Sequence, residues 1–243
     1  MKIDQEKCTA CELCHPYCPV GAIVTVERNG DSFCEIDQAE CVECGACNLR
    51  ARVCPVDAIY RPALEWPRTI RETFSNPNAR HPSGSRGRGT EEMKTNDVTG
   101  RYPPGVAGVA LEMGRPGIGA SFRDIQTVAM ALARVGVEFE ADNPVSALMA
   151  DRKAGVFREE ILEEKVLSAI LEFKIENERL QDVLLGIKDV AARIDTVFSL
   201  GLISRVDSDG SIPVVPIARE AGFFPRPNMK TNVGLGRLLF EEG

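Results

Sequence analysis

Cysteine is missing from the last 189 residues of the chain; all nine lie between Cys8 and Cys54. Nothing beyond Cys54 can supply a thiolate metal site or a disulfide, so the asymmetry marks a division between a cysteine-rich beginning and a cysteine-free remainder. Long apolar runs are also missing. No stretch approaches the roughly 18 apolar residues that span a bilayer, and Met1 leads through Lys2, Ile3 and Asp4 to the first cysteine group with no apolar leader. The expectation is therefore a protein off the membrane, unexported, in the cytoplasm. An excess of positive charge is lacking as well: 29 Lys and Arg against 36 Asp and Glu leave −7, which argues against a nucleic-acid partner, because phosphate binding needs cationic surface. Disulfides of an exported protein are disfavoured because no export signal is expected and the cysteine spacings are those of metal ligands. What the chain does have is 44% hydrophobic residues over 243 positions, enough for an ordinary globular core.

The charge is uneven. Residues 1–60 carry 5 Lys/Arg and 10 Asp/Glu, residues 61–104 carry 8 and 5, and residues 105–243 carry 16 and 21. An acidic first segment is thus followed by a basic connector and an acidic remainder.

The cysteines fall into two groups. Cys8, Cys11, Cys14 and Cys18 are spaced C-x2-C-x2-C-x3-C with Pro19 following, and Cys41, Cys44, Cys47 and Cys54 are spaced C-x2-C-x2-C-x6-C with Pro55 following. Two-residue gaps let three sulfurs of one tight loop cap three corners of an iron-sulfur cube, and soft anionic thiolates suit iron. The fourth corner must come from elsewhere. In two-cluster arrangements the cysteine before each proline ligates the other cube, which assigns Cys8, Cys11, Cys14 and Cys54 to one cluster and Cys41, Cys44, Cys47 and Cys18 to the other. Proline fixes the backbone as the chain leaves the ligand and adds no competing N–H. Zinc also takes paired C-x2-C ligands, but it needs only four, usually as two pairs across a longer loop.

The halves repeat one another: Ile3-Asp4-Gln5-Glu6-Lys7-Cys8 matches Ile36-Asp37-Gln38-Ala39-Glu40-Cys41, and Cys18-Pro19-Val20-Gly21-Ala22-Ile23 matches Cys54-Pro55-Val56-Asp57-Ala58-Ile59. On these motifs residues 1–60 resemble a bacterial-type two-[4Fe-4S] ferredoxin. The resemblance implies eight cluster ligands, single-electron transfer, a redox protein partner and an anaerobic setting. One departure is the six residues between Cys47 and Cys54 where the family has three, an insertion of about one helical turn. Its outcomes are a harmless helical extension, a shifted Cys54, or loss of Cys54 and a three-iron cluster. Cys34 reads as a buried free thiol on a short strand, and His15 as a solvent-facing loop residue.

Residues 61–104 show little periodicity, and the Gly, Pro, Ser and Arg of residues 76–89 read as a flexible linker or as arginines docking on an anion or partner. From residue 105 the pattern is regular. Val106 to Met113 predicts a strand; Phe122, Ile125, Val128, Ala129, Leu132 and Val135 predict a helix capped by Ser121 with Asp124 three residues later; Val137 to Glu140 predicts a second strand. After a helical or irregular stretch from Pro144 to Lys165 come a strand from Val166 to Ile175, a helix over Leu180 to Ile194, and a strand from Thr196 to Val206.

The fold class is therefore α+β: a ferredoxin domain over 1–60, a basic linker over 61–104, a βαββαβ ferredoxin-like α/β sandwich over 105–210, and an irregular tail over 211–243. The sandwich resembles the ACT and NIL families of ligand-sensing or partner-binding domains, which implies a ligand, a partner or a homo-oligomer contact there. Gly114, Gly117 and Gly119 precede the Ser121 helix and form either a tight turn or an anion cradle. Met93-Lys94-Thr95-Asn96 with Gly100-Arg101 recurs as Met229-Lys230-Thr231-Asn232 with Gly236-Arg237, so Lys94, Arg101, Lys230 and Arg237 are candidate contacts to an anion or partner.

The functional expectation is an iron-sulfur electron-transfer protein or subunit relaying electrons to a partner redox enzyme. Two alternatives rest on resemblance: proteins labelled 6-hydroxynicotinate reductase, which makes the chain an iron-sulfur oxidoreductase, and ferredoxin-NIL proteins of reductive sulfur transfer in homocysteine formation. No catalytic residue is identifiable.

Overall fold

A computed structural model describes residues 1–79 and 96–227. Two apolar cores organise these residues, one around the cysteines and one inside an α/β sandwich.

The first core is built from four short strands. Strand β1 (Lys2–Ile3) pairs with β4 (Ile59–Tyr60), and β2 (Ile23–Arg28) pairs with β3 (Asp31–Ile36), each antiparallel. The two pairings are equivalent under the repeat: Ile3 faces Ile59, and Ile36, the counterpart of Ile3, faces Ile23, the counterpart of Ile59. The duplication extends to the backbone. The amide of Asp4 donates to the Ala58 carbonyl and that of Asp37 to the Ala22 carbonyl, both at 2.8 Å. Each half thus closes against the other, and neither can complete its sheet alone.

In the connector, α1 (Thr69–Ser75) corrects the expectation of an unpatterned linker. Seven residues are too few to show a helical period, yet Ile70 and Phe74 are buried in the sandwich core. Phe74 meets Phe122 edge to face with ring centroids 6.1 Å apart. A four-residue helix, α2 (Asn96–Thr99), follows the undescribed residues 80–95. Asn96 is buried and exchanges two hydrogen bonds with the backbone of Tyr102, at 2.7 and 3.0 Å. Gly100 donates to the Asn96 carbonyl with φ of 60°, so Asn96, Gly100 and Arg101 of the repeated motif belong to one closed turn.

The remaining elements are β5 (Val106–Met113), β6 (Ala120–Ser121), α3 (Phe122–Arg134), β7 (Glu138–Phe139), β8 (Met149–Asp151), β9 (Val156–Phe157), β10 (Lys165–Val166), β11 (Ala169–Glu176), α4 (Asn177–Ala191), β12 (Phe198–Ile203) and α5 (Val214–Glu220). The main sheet has the order β12-β5-β11-β7 and is antiparallel throughout. That order is the interlocked βαββαβ arrangement. Alternation along β5 sends Ala107, Val109, Leu111 and Met113 to one face, where they share a core with Ile125, Val128 and Leu132 of α3 and Leu180, Leu184 and Ile187 of α4. Helix α3 starts at its expected cap: the Ser121 Oγ accepts the Asp124 amide at 3.1 Å.

Three further expectations are corrected. The run expected as one strand from Val166 to Ile175 is two, because Leu167 gives its amide to the Ser75 Oγ at 2.8 Å instead of a ladder. Between Pro144 and Lys165 lies the small β8-β9 hairpin among 3-10 turns, not a helix. The tail expected as irregular contains α5, whose Val214 and Ala218 enter the sandwich core. Residues 228–243 lie outside the described residues.

Candidate metal centre

Each C-x2-C-x2-C loop needs its backbone to reverse twice within seven residues, and the structure does this with left-handed residues at matching places. Ala10 and Glu43 have φ of 52° and 55°, and Glu12 and Gly45 have 59° and 71°. Only Gly45 enters this region without a Cβ penalty, so the other three are held there by their loops. The amides of Cys8 and Cys41 donate to Asp4 and Asp37 carbonyls at 3.1 and 2.9 Å, and the Asp4 and Asp37 carboxylates accept the amides of Glu6 and Ala39. Asp at this place is the turn residue that starts each loop. After each Cys-Pro the pattern repeats again: Ala22 donates to the Cys18 Sγ at 3.1 Å and Ala58 to the Cys54 Sγ at 3.2 Å.

The result is two concavities. One, with about 310 Å³ of open space, is lined by Cys8, Cys11, Cys14 and Cys54, together with Cys34. The other, with about 300 Å³, is lined by Cys18, Cys41, Cys44 and Cys47. The last cysteine of each half therefore stands with the first three of the other half. The insertion before Cys54 is taken up by a π turn over Ala46–Arg50 and a left-handed Arg52 with φ of 45°. The matching segment of the first half is a 3-10 turn over His15–Tyr17. Widening the turn absorbs the three extra residues and leaves Cys54 at the first concavity.

Three of these thiols, Cys14, Cys44 and Cys47, resist ionisation on their own. Burial pushes Cys14 up to about 12, and Cys34 beside it adds to the effect. Burial likewise pushes Cys47 up to about 12, followed by Cys44, Cys41 and Cys18, and Cys44 is raised by burial, Cys18 and Cys41. Thiols raised in this way become anions when a cation core shares their charge. Soft donors, fourfold sets and backbone N–H groups aimed at sulfur all fit an iron-sulfur cluster.

The second loop is bolted to the sandwich. Arg71 of α1 is buried, and its guanidinium donates to the carbonyls of Gln38 (3.1 Å), Ala39 (2.8 Å) and Cys41 (2.9 Å) and pairs with Glu164 at 2.5 Å. Arg68 reaches Glu43 and the Gln38 carbonyl, and Lys165 pairs with Glu40. Burial opposes the charge on Glu43, but the Met1 amine and Arg68 hold its carboxyl below the usual carboxylate range. Sequence reasoning missed this pair of arginines. Arg68 caps and Arg71 lies within a helix of only seven residues, too short for a helical period to have marked them in the sequence.

Away from the cysteines, Arg101 pairs with Glu140 at 2.7 Å and Asp142 at 3.3 Å, so its charge is met within the chain. Lys94, Lys230 and Arg237 lie outside the described residues. Gly114 packs so closely on Gly119 and the Leu167 carbonyl that a Cβ there would stand 2.8 Å from each. The amides of Ile118 and Gly119 donate to the Gly114 carbonyl, and those of Phe122 and Arg123 to Glu164 and Leu162 carbonyls. Gly114 and Gly119 therefore serve a tight turn whose neighbouring amides are already used, and Gly117, with φ of 59°, supplies the bend. Cys34 is buried, as expected of it, but it faces the first concavity. Among the described residues no helix is long and apolar enough to cross a membrane.

Comparison with known proteins bears on the cysteine-rich segment. Residues 1–24 match the family described as 4Fe-4S binding domain. Ferredoxin-2 of Chlorobaculum tepidum is 42% identical over 62 residues, which span 23% of this chain and 89% of that protein. Pyruvate synthase subunit PorD of Methanocaldococcus jannaschii is 40% identical over 59 residues, 24% of this chain and 62% of PorD. No solved structure matches. Through this segment the chain belongs to the 4Fe-4S ferredoxin family, an iron-sulfur protein with an electron-transfer role.

Proposed function

We propose that the chain carries two [4Fe-4S] clusters, one held by Cys8, Cys11, Cys14 and Cys54 and the other by Cys41, Cys44, Cys47 and Cys18, and that it passes single electrons to a partner redox enzyme in the cytoplasm. The observation that carries this reading is the exchange of fourth cysteines between halves: Cys54 lines the concavity of the first triplet and Cys18 that of the second. A cluster supplies reversible one-electron capacity when bound. The chain's own residues hold and shield it. The amides of Ala22 and Ala58 stabilise charge on the Cys18 and Cys54 sulfurs, and the buried isoleucines Ile23, Ile36 and Ile59 keep water from the space between.

A partner enzyme is supported by the likeness to PorD, whose name makes it a subunit of pyruvate synthase. The sandwich, tied to the second loop through Arg71 and Lys165, fixes how the carrier is presented to that partner. The test is anaerobic purification with iron and sulfide counting and EPR of the reduced protein. About eight irons and two interacting reduced signals are expected; zinc in place of iron, or fewer than about six irons, overturns the reading.

A further inference from the structure

Eight cysteines account for two clusters, and the ninth, Cys34, is not surplus by position. It lies on β3 in register with Thr25 and is 2% exposed. Rather than packing into apolar core alone, it lines the first concavity beside Cys8, Cys11, Cys14 and Cys54. Its amide donates to the Cys8 Sγ at 3.3 Å. The ligand atoms of Cys14, His15 and Cys34 lie within 4.8 Å of one another. The Nε2 of His15, in the same group, is buried with no hydrogen-bond partner, so this corner already holds a polar atom whose bonding within the chain is incomplete.

Two thiolates on one tetrahedral first-row ion, with bonds of about 2.3 Å, stand about 3.8 Å apart. A separation of at most 4.8 Å therefore leaves at most about 1 Å of adjustment before the Cys34 sulfur can bond the iron that Cys14 would hold.

We propose that Cys34 is a reserve ligand of the first cluster, taking over the iron of Cys14 when that thiolate is lost; the inference rests on the two-cluster reading above. The step is a ligand exchange. The Cys34 thiol gives its proton to solvent, the iron–sulfur bond to Cys14 breaks as one to Cys34 forms, the released Cys14 thiolate takes up a proton from solvent, and no electron moves; in Cys14→Ala the bond to Cys34 forms at the iron left without that ligand. Cys34 is suited to this because it is already desolvated and held on a strand, so binding orders little that is not already ordered.

The experiment compares wild type with Cys14→Ala, Cys34→Ser and the double variant, all purified anaerobically, with iron and sulfide counted and reduced EPR recorded. Wild type and Cys34→Ser are expected to hold about eight irons. Cys14→Ala is expected to keep about eight with a shifted signal from one cluster, and the double variant to lose iron from that cluster alone. Equal iron loss in Cys14→Ala and the double variant overturns the proposal. Should Cys14→Ala fail to accumulate, release of iron from reduced protein to a ferrous chelator decides. Faster release by several fold in Cys34→Ser than in wild type supports the reserve role, and equal rates overturn it. Wild type with fewer than about six irons overturns the two-cluster reading and this inference with it, whereas about eight irons in wild type with unrescued loss in Cys14→Ala overturns this inference alone.

Discussion

A thiol surrounded by other thiols in a dry pocket is a poor anion, and the raised values of Cys14 and Cys47 express that conflict. Metal binding resolves it, and because each concavity is lined by its own four-cysteine set, each loss should be local. Replacing Cys54 by Ala is expected to strip iron from the first site while the second keeps its own, and Cys18→Ala to do the reverse. Iron counting with EPR of each variant distinguishes that crossed pattern from an uncrossed one, in which Cys18→Ala would damage the first triplet's site. The spacing and the repeat make this pairing readable in the sequence alone, because ligand loops are short and local. Arg71 is not readable in the same way: its carbonyl partners at Gln38, Ala39 and Cys41 are about thirty residues away in sequence. Removing its charge leaves the part-buried Glu164 and the Ala39 and Cys41 carbonyls without this donor, while the Gln38 carbonyl keeps Arg68. Arg71→Met should therefore destabilise by about 3–5 kcal/mol, the usual cost of stranding one member of a buried ion pair, read as a lowered unfolding midpoint in thermal melts monitored by cluster absorbance.

At the scale of elements, what the sequence revealed tracks length and period. Helices α3 and α4 and strands β5, β11 and β12 each present several buried positions at a fixed interval, so their existence was legible and only their ends moved. Helix α4 begins at Asn177, earlier than expected, because its first turn is polar and adds nothing to the apolar stripe. Helices α1 and α5 have seven residues each, under two turns for a period to show, and their formation depends on tertiary burial rather than propensity. Two substitutions separate these classes. Phe74→Ala removes a ring that fastens α1 against Phe122 and should cost about 3–5 kcal/mol. Ser121→Ala removes only the cap of α3 and should cost about 1 kcal/mol. Denaturant unfolding followed by far-ultraviolet circular dichroism gives both values, and a smaller loss for Phe74→Ala than for Ser121→Ala would show that α1 is not part of the sandwich core.

Taken as a whole molecule, the two concavities are unlike. The second loop is fastened to the sandwich by Arg68, Arg71 and Lys165, whereas the first has Cys11 and Leu13 exposed at its rim and Val56 38% exposed. An electron leaving past the exposed Cys11 would cross little protein to reach a docked acceptor. Residues 1–60, which line both concavities, carry 5 Lys/Arg against 10 Asp/Glu, so the surface around the exit is negative, and clusters held by thiolates would deepen the charge. Electrostatic steering of this kind fades as salt shortens the Debye length to about 10 Å at 0.1 M. Two simple acceptors expose the sign. Reduction of a basic protein such as cytochrome c by the reduced chain should slow as ionic strength rises, and reduction of the anion ferricyanide should quicken. Stopped-flow rates across a salt series measure both. Leu13→Gln, which alters the apolar rim without changing net charge, should slow cytochrome c at every salt concentration while leaving the slope unchanged. If the slope changed with it, or if both acceptors responded to salt in the same direction, the acidic first face would not be the exit.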